Sequence, residues 1–475
     1  MKTKPQYLER LAEMGDRKEP RAARSQAAGP SARLTSLDAY RGFIMVVLAA
    51  AGFGIAKLAR EALEKGTESV TLWRTLEYHF SHPEWISQTA VPESIRQVDL
   101  NAIGCSAWDL IQPSFMFMVG VAMAYSYAKR KDRGDSRLRT WTHVATRALV
   151  LVLLGVFLSS QWSDRTDWVF ANVLCQIGLG YIFVYVLLGR KLVVQLAAAV
   201  LILGGWWLAF FLYPLPGPDF DYASVGIGAP ADGSQGDVAA AAGELAPTPI
   251  ADEWRMPDRF APWTKNVNPA ADFDRWLLNK LPRSEPFEFN GGGYTTLNFV
   301  PSIFTMLLGV MAGQLLRGPR RPIVKFLLLV LAGVVCMALG ATAGATVCPV
   351  VKRIWTPSWA LFSGAYVLGM LAVFYLVIDV MRLKFWTWPL VVVGMNSIAV
   401  YVMAQSMKGW VTKMLTIHFG PDLMPAVVKS WLATTTGLNL AHDGPYAPVV
   451  QSVMILLVFW LICVWMYRQK IFVRV

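Results

Sequence analysis

HFSHPEW at residues 79–85, eighteen residues of connection, then GCSAWDLIQPSFMFMVG at 104–120: this stretch passes from polar to apolar, and the fold is read from it outward. The first part is a loop carrying His79 and His82, two of the chain's five histidines. The second is a membrane helix with Asp109 at its mouth. An idle charge where a helix enters a bilayer is costly. The rest of the chain therefore reads as a bundle holding this loop over a pore or pocket.

Composition agrees. Of 475 residues, 55% are hydrophobic and 16% charged. A soluble domain does not have these proportions, and a polytopic membrane protein does. Ten apolar segments are long enough to cross roughly 30 Å of hydrocarbon: 37–58, 108–128, 143–160, 168–188, 192–213, 297–316, 323–345, 358–380, 389–411 and 448–467. The expected fold is an all-α integral membrane protein of about ten transmembrane helices. It divides into a polar, disordered cytosolic tail (1–36), a first five-helix half (37–213), a long loop (214–296) and a second five-helix half (297–475).

The net charge of +12 is not a nucleic-acid signature here. Lys and Arg concentrate in the N-terminal tail, KRKDRGDSRLR at 129–139, Arg190-Lys191, RGPRRPIVK at 317–325, Arg382 with Lys384, and the C-terminal tail. Alternation puts all of these on one side. The 214–296 loop, on the other side, holds 12 Asp/Glu against 6 Lys/Arg. The positive-inside rule then puts both termini in the cytosol, and the loops 59–107 and 214–296 outside it. The localisation expected is the cell (inner) membrane, with His82 extracytoplasmic. Within the second loop, GAPADGSQGDVAAAAGELAPTPI reads as irregular, whereas EPFEFNGGGYTTLNF reads as ordered against the membrane face. Five cysteines lie far apart with no Cys-x-x-Cys pair, which suggests neither a zinc site nor a disulfide framework. A Cys105–Cys348 bridge is weakly supported.

Several residues invite chemistry. A lone loop histidine is usually only solvated. A His82–Asp109 pair, however, would fix the imidazole tautomer and raise its basicity. Asp109 also suits a helix N-cap. Pro113 calls for a kink or a first-turn position. Asp38 and Arg41, three apart, share a helix face as an interfacial ion pair or leave Arg41 to meet a phosphate. Arg147 reads first as a snorkelling residue. Gln176, Asn298, Asn396 and Gln405 read first as interhelical glue. No phosphate loop, HExxH or GxSxG motif is present.

The motifs SLDAYRG, HPEW and GCSAWDLIQPSFMFMVG together resemble the membrane acyltransferase family of heparan-alpha-glucosaminide N-acetyltransferase and its bacterial relatives. Arg33, Ser36, Leu37, Asp38, Arg41 and Gly42 match the family's first motif. His82, Trp85, Gly104, Asp109, Pro113, Phe115, Phe117 and Gly120 match its second. Weaker likenesses lie at 172–181, 356–379 and 394–402. The resemblance implies transfer of an acetyl group from cytosolic acetyl-CoA to an amino sugar of an extracytoplasmic glycan, with His82 at the reacting centre and no metal. Asp109 would orient His82, and Trp85 and Asp38 would support the substrate side. Arg41 and Arg147 would hold the phosphates, and Asn396 would meet the thioester carbonyl. The chain departs from the pattern in an insertion over 86–103, in Gly52 where the family often has Asn, and in Gln176 where it has Arg. O-acylation of a surface polysaccharide and transport of a lipid-linked sugar stay open as alternatives, as does a homodimer.

Overall fold

The computed structural model describes residues 34–66, 69–82, 85, 105–217, 219–227, 258–423, 430, 434–435 and 444–473. The 86–103 insertion, the Gly/Ala-rich segment 228–250 and the expected tail up to residue 33 lie outside them. The described residues are helical, without a strand. Among the described residues, seven helices are long and apolar enough to cross a membrane, or up to nine when each of two bent pairs counts as one span. These match the expected all-α membrane class. The segment expected to span at 168–188 carries a shorter helix, Val173–Leu187.

In chain order, α1 is Thr35–Ala49, α2 Ile55–Glu64 and α3 Val70–Phe80. A 3-10 turn at Trp108–Leu110 opens α4, Ile111–Asp132. There follow α5 (Arg137–Ser159), α6 (Val173–Leu187), α7 (Leu192–Phe211) and α8 (Pro269–Leu278). A second 3-10 turn, Thr296–Asn298, opens α9, Phe299–Arg317. Then come α10 (Pro322–Thr346), α11 (Pro357–Phe374), α12 (Trp388–Gly394), α13 (Ser397–Ser406), α14 (Lys408–Phe419) and α15 (Ala447–Arg468).

Two spans expected to be continuous are broken. Between α1 and α2 the chain bends by 48°. Ala51, Gly52, Phe53 and Gly54 all take positive φ there, so the helix cannot continue. Between α12 and α13 it bends by 77°, at Met395 and Asn396. The first connection, read as a loop from residue 59, instead carries helix to Glu64. It then returns through α3, with Arg60 and Glu77 paired at 3.1 Å. Pro113 falls in the first turn of α4, where its missing N–H removes no ladder bond.

The site rests on the crossing of α4 and α9. Lipid is as apolar as the side chains, so helices associate in membranes through close backbone contact and dispersion rather than water exclusion. Here the contact is direct. A Cβ on Gly120 would stand 1.9 Å from the Met306 carbonyl oxygen, and one on Gly309 would stand 2.0 Å from that of Phe117. Replacing Gly309 with Leu is expected to separate the pair and cost about 1–3 kcal/mol or more by overpacking. Gly204 has nothing within 4 Å of its would-be Cβ, so Gly204→Leu serves as the tolerated control. Thermal unfolding in detergent checks both, and equal stability of the two variants would contradict this packing.

Candidate active site

His82 lies two residues beyond the end of α3, after the extended Ser81. Asp109 lies in the 3-10 turn that opens α4. A single hydroxyl joins the two chain segments. Ser106 Oγ donates to the Ser81 carbonyl at 2.9 Å and accepts from the Asp109 amide at 3.1 Å. Ser106 thereby does the capping that the sequence offered to Asp109, and the Asp109 carboxylate is left for other partners.

Those partners are His82 and Lys352. His82 Nδ1 lies 2.6 Å from Asp109 Oδ1, and Lys352 Nζ lies 2.8 Å from the same oxygen. Asp109 is 2% exposed and Lys352 8%. On the far side of the ring, the Trp108 indole N–H donates to His82 Nε2 at 3.1 Å. An indole nitrogen can only donate. The neutral ring consistent with both contacts therefore carries its proton on Nδ1, donated to Asp109, and a lone pair on Nε2. Lys352 Nζ also lies 3.1 Å from Nδ1. An ammonium accepts nothing, so this closeness follows from the oxygen the two groups share.

Lys352 is delivered by the connection between α10 and α11. The chain turns tightly at Lys352–Trp355, with Trp355 N donating to the Lys352 carbonyl at 2.9 Å. Trp355 sits at φ 48°, a conformation costly for a bulky side chain, and is held there by its surroundings. Thr356 caps α11 by accepting from Trp359 N, and its hydroxyl also accepts from Val351 N at 3.0 Å. Asn298 Nδ2 donates to the Arg353 carbonyl at 2.6 Å, and Arg353 reaches the Gly292 carbonyl at 3.0 Å. The end of the second long loop thus braces the turn that carries Lys352. Tyr294, in the same loop, faces both cations, with ring-centroid distances of 6.0 Å to Lys352 Nζ and 5.7 Å to the Arg353 guanidinium.

Trp85 is 2% exposed. Its indole donates to the Trp263 carbonyl at 3.0 Å, within a cluster containing Trp206, Phe210, Phe260 and Ile354. It anchors the His82 loop to the second loop. The remaining candidates lie apart from His82. Arg41 pairs with Asp38 at 3.6 Å beside the α1 N-terminus, where Asp379 accepts from Ser36 N. The Arg147 guanidinium lies 5.2 Å from the centroid of the Tyr181 ring. Asn396 uses both ends of its amide on the C-terminal segment, donating to the Ile471 carbonyl and accepting from Val473 N. A thioester contact at Asn396 would have to release that segment. Gln176 accepts from Gln112 and donates to the Ala171 carbonyl, which is interhelical glue. The Cys105–Cys348 bridge is not formed. All five cysteines are free, and Cys348 Sγ instead lies 3.5 Å from Ser358 Oγ. His79, in the last turn of α3, packs edge-on against Tyr78.

Lys352, Trp108 and Ser106 escaped the sequence reading. Lys352 left one signal. Lys352-Arg353 is a basic pair in a connection that alternation puts opposite the basic rims, where such residues are unusual.

Two outcomes follow from burial. Lys352→Met leaves the buried Asp109 carboxylate without its cation and is expected to cost about 3–5 kcal/mol. The double variant Lys352→Met/Asp109→Asn should recover most of that loss, as read by a thermal double-mutant cycle. Additive losses would show that the two charges do not depend on each other. Asp274, in α8, accepts from Thr296 N, yet burial pushes its carboxyl up to about 6. A carboxyl raised on folding binds more protons folded than unfolded, so its contribution to stability grows as pH falls through 6. Wild-type melting temperature should rise relative to Asp274→Asn between pH 7.5 and 5, and parallel curves would contradict the assignment.

A family model described as the catalytic region of heparan-alpha-glucosaminide N-acetyltransferase matches residues 94–220. The human heparan-alpha-glucosaminide N-acetyltransferase is 24% identical over 415 residues, covering 78% of this chain and 52% of the human protein. The chain spans about half the length of that curated relative.

Proposed function

We propose, for a chain that belongs to the heparan-alpha-glucosaminide N-acetyltransferase family, that it is a multi-pass membrane acetyltransferase. It moves the acetyl group of acetyl-CoA, bound from the cytosolic side, to the amine of an amino sugar in an extracytoplasmic glycan. Both termini are cytoplasmic in this reading, and the membrane is the cell (inner) membrane. The observation that carries it is the half-buried His82–Asp109 pair, 2.6 Å apart, with the Nε2 lone pair on the side away from the carboxylate.

The chemistry follows from that tautomer. The acceptor amine attacks the thioester carbonyl carbon while His82 Nε2 removes its proton. A C–N bond forms and the C–S bond breaks. The thiolate of CoA leaves and takes up the proton that His82 gave back. Asp109 holds the Nδ1 proton and offsets the positive charge that the ring acquires. Lys352 keeps Asp109 ionised in a buried setting and limits how strongly it draws that proton. Arg41 and Arg147, with the basic segment 317–325, are the groups of the opposite rim suited to phosphates. Asn396 and Trp85 hold structure in this reading.

One observation favours a second reading, transport of a lipid-linked sugar. Among the described residues each half holds one broken span, α1–α2 and α12–α13, and the two are in contact. A Cβ on Gly394 would lie 1.9 Å from the Asp38 carbonyl oxygen. Paired broken helices are a transporter feature. Uptake of the sugar by proteoliposomes lacking acetyl-CoA would favour that reading.

His82→Gln is expected to lower CoA release in the presence of glucosamine by about 10²–10⁴-fold. It should leave acetyl-CoA binding and the melting temperature near wild type. A folded variant with wild-type turnover would remove His82 from the reaction.

A further inference from the structure

The Trp108 indole N–H donates to His82 Nε2 at 3.1 Å. That lone pair is the one the proposed reaction needs. The donor stands where the N–H of an amine would stand while losing its proton. We propose that Trp108 is a resident cap on the base: its indole occupies Nε2 until an acceptor N–H displaces it, so the base is uncovered only when the acceptor is present. The inference rests on the reading of His82 as general base.

Three features make the side chain suited to this. Trp108 belongs to the single 3-10 turn ahead of α4, where the Leu110 amide donates to the Ala107 carbonyl at 3.3 Å. Its side chain can rotate without opening the α-helical ladder that begins at Ile111. It is partly exposed, whereas its neighbour Asp109 is buried. Its six-membered ring lies beside Gly52 in the left-handed break between α1 and α2. A Cβ at Gly52 would come within 3.3 Å of that ring and 3.0 Å of Phe80. Gly52 thus provides the space in which the indole lies. Asp109 and Lys352 hold the other side of the imidazole, so the ring stays oriented when the indole leaves.

The cap has a chemical use. A base exposed beside a thioester activates water as readily as an amine, and the acetyl group is then lost by hydrolysis. An indole N–H on the lone pair keeps water from that atom. An acceptor that brings its own N–H replaces one hydrogen bond with another, so uncovering the base leaves no bond unmade.

The test compares wild type with Trp108→Phe, which keeps an aromatic ring and removes the donor, and with Trp108→Met as a second donor-free replacement. The first readout needs no turnover: carbethoxylation of His82 by diethylpyrocarbonate without acceptor, followed by peptide mass spectrometry. It should accelerate about fivefold in both variants, the equivalent of one neutral hydrogen bond. The second is the ratio of acceptor-free CoA release to glucosamine-dependent release, which should rise, with KM for glucosamine falling more than kcat changes. The third uses wild type alone. The ultraviolet resonance Raman band that reports indole hydrogen bonding should shift when glucosamine is added to the acetyl-CoA-loaded protein. Unchanged labelling of His82 in the folded variants, or no shift in the wild-type band, would overturn the cap. Catalytic competence of His82→Gln would instead overturn the base reading, a separate result because the labelling does not depend on turnover.

Discussion

A buried carboxylate governs this molecule. Asp109 is 2% exposed at the start of an apolar helix, and an ion in that position is tolerable only when its charge and lone pairs are met. Two groups far away in sequence do so, His82 and Lys352, both on one oxygen. Removing water from this carboxylate costs several kcal/mol unless those partners stay in place. The chain spends much of its local structure on keeping them there. Ser106 ties the two segments that bring His82 and Asp109 together. The strained turn at Trp355 holds the segment that brings Lys352.

The same constraint gives the long connections a purpose. They do not merely join spans. Trp85 is pinned by the backbone of Trp263. Arg353 and Asn298 stitch the α10–α11 turn to the end of the second long loop. Four stretches that lie between helices therefore converge on one imidazole. The helices beneath can approach closely enough to support them because glycine faces backbone where α4 crosses α9. Packing in the apolar layer and polar geometry above it are linked through α4, which begins at the site and runs through that crossing.

The sequence disclosed the class of fold because hydrophobic length is a direct physical signal for a bilayer. Asp109 stood out as a charge at a helix mouth, whereas His82, which as a lone loop histidine would be only solvated, was singled out by the family resemblance; the structure places the two 2.6 Å apart. It hid Lys352 because nothing in linear spacing links residue 352 to residue 109. Its one signal was a basic pair in a connection that alternation would put opposite the basic rims. It hid Trp108 because an aromatic at an interface has an ordinary explanation in the membrane's aromatic belt. The breaks after Ala49 and Gly394 were hidden by composition, since hydropathy averages over backbone direction. The glycines at 52 and 54 were the one local hint of the first break. Asn396 read first as interhelical glue, and its amide does bond to the C-terminal segment, a partner that linear spacing could not name.

The claim on which the account turns is the protonation pattern of His82, and nitrogen-15 solid-state NMR of histidine-labelled protein in lipid reads it directly. One histidine, absent from the spectrum of His82→Gln, should show a protonated Nδ1 and an unprotonated Nε2 at neutral pH. A His82 protonated on Nε2, with the lone pair turned toward Asp109, would contradict it.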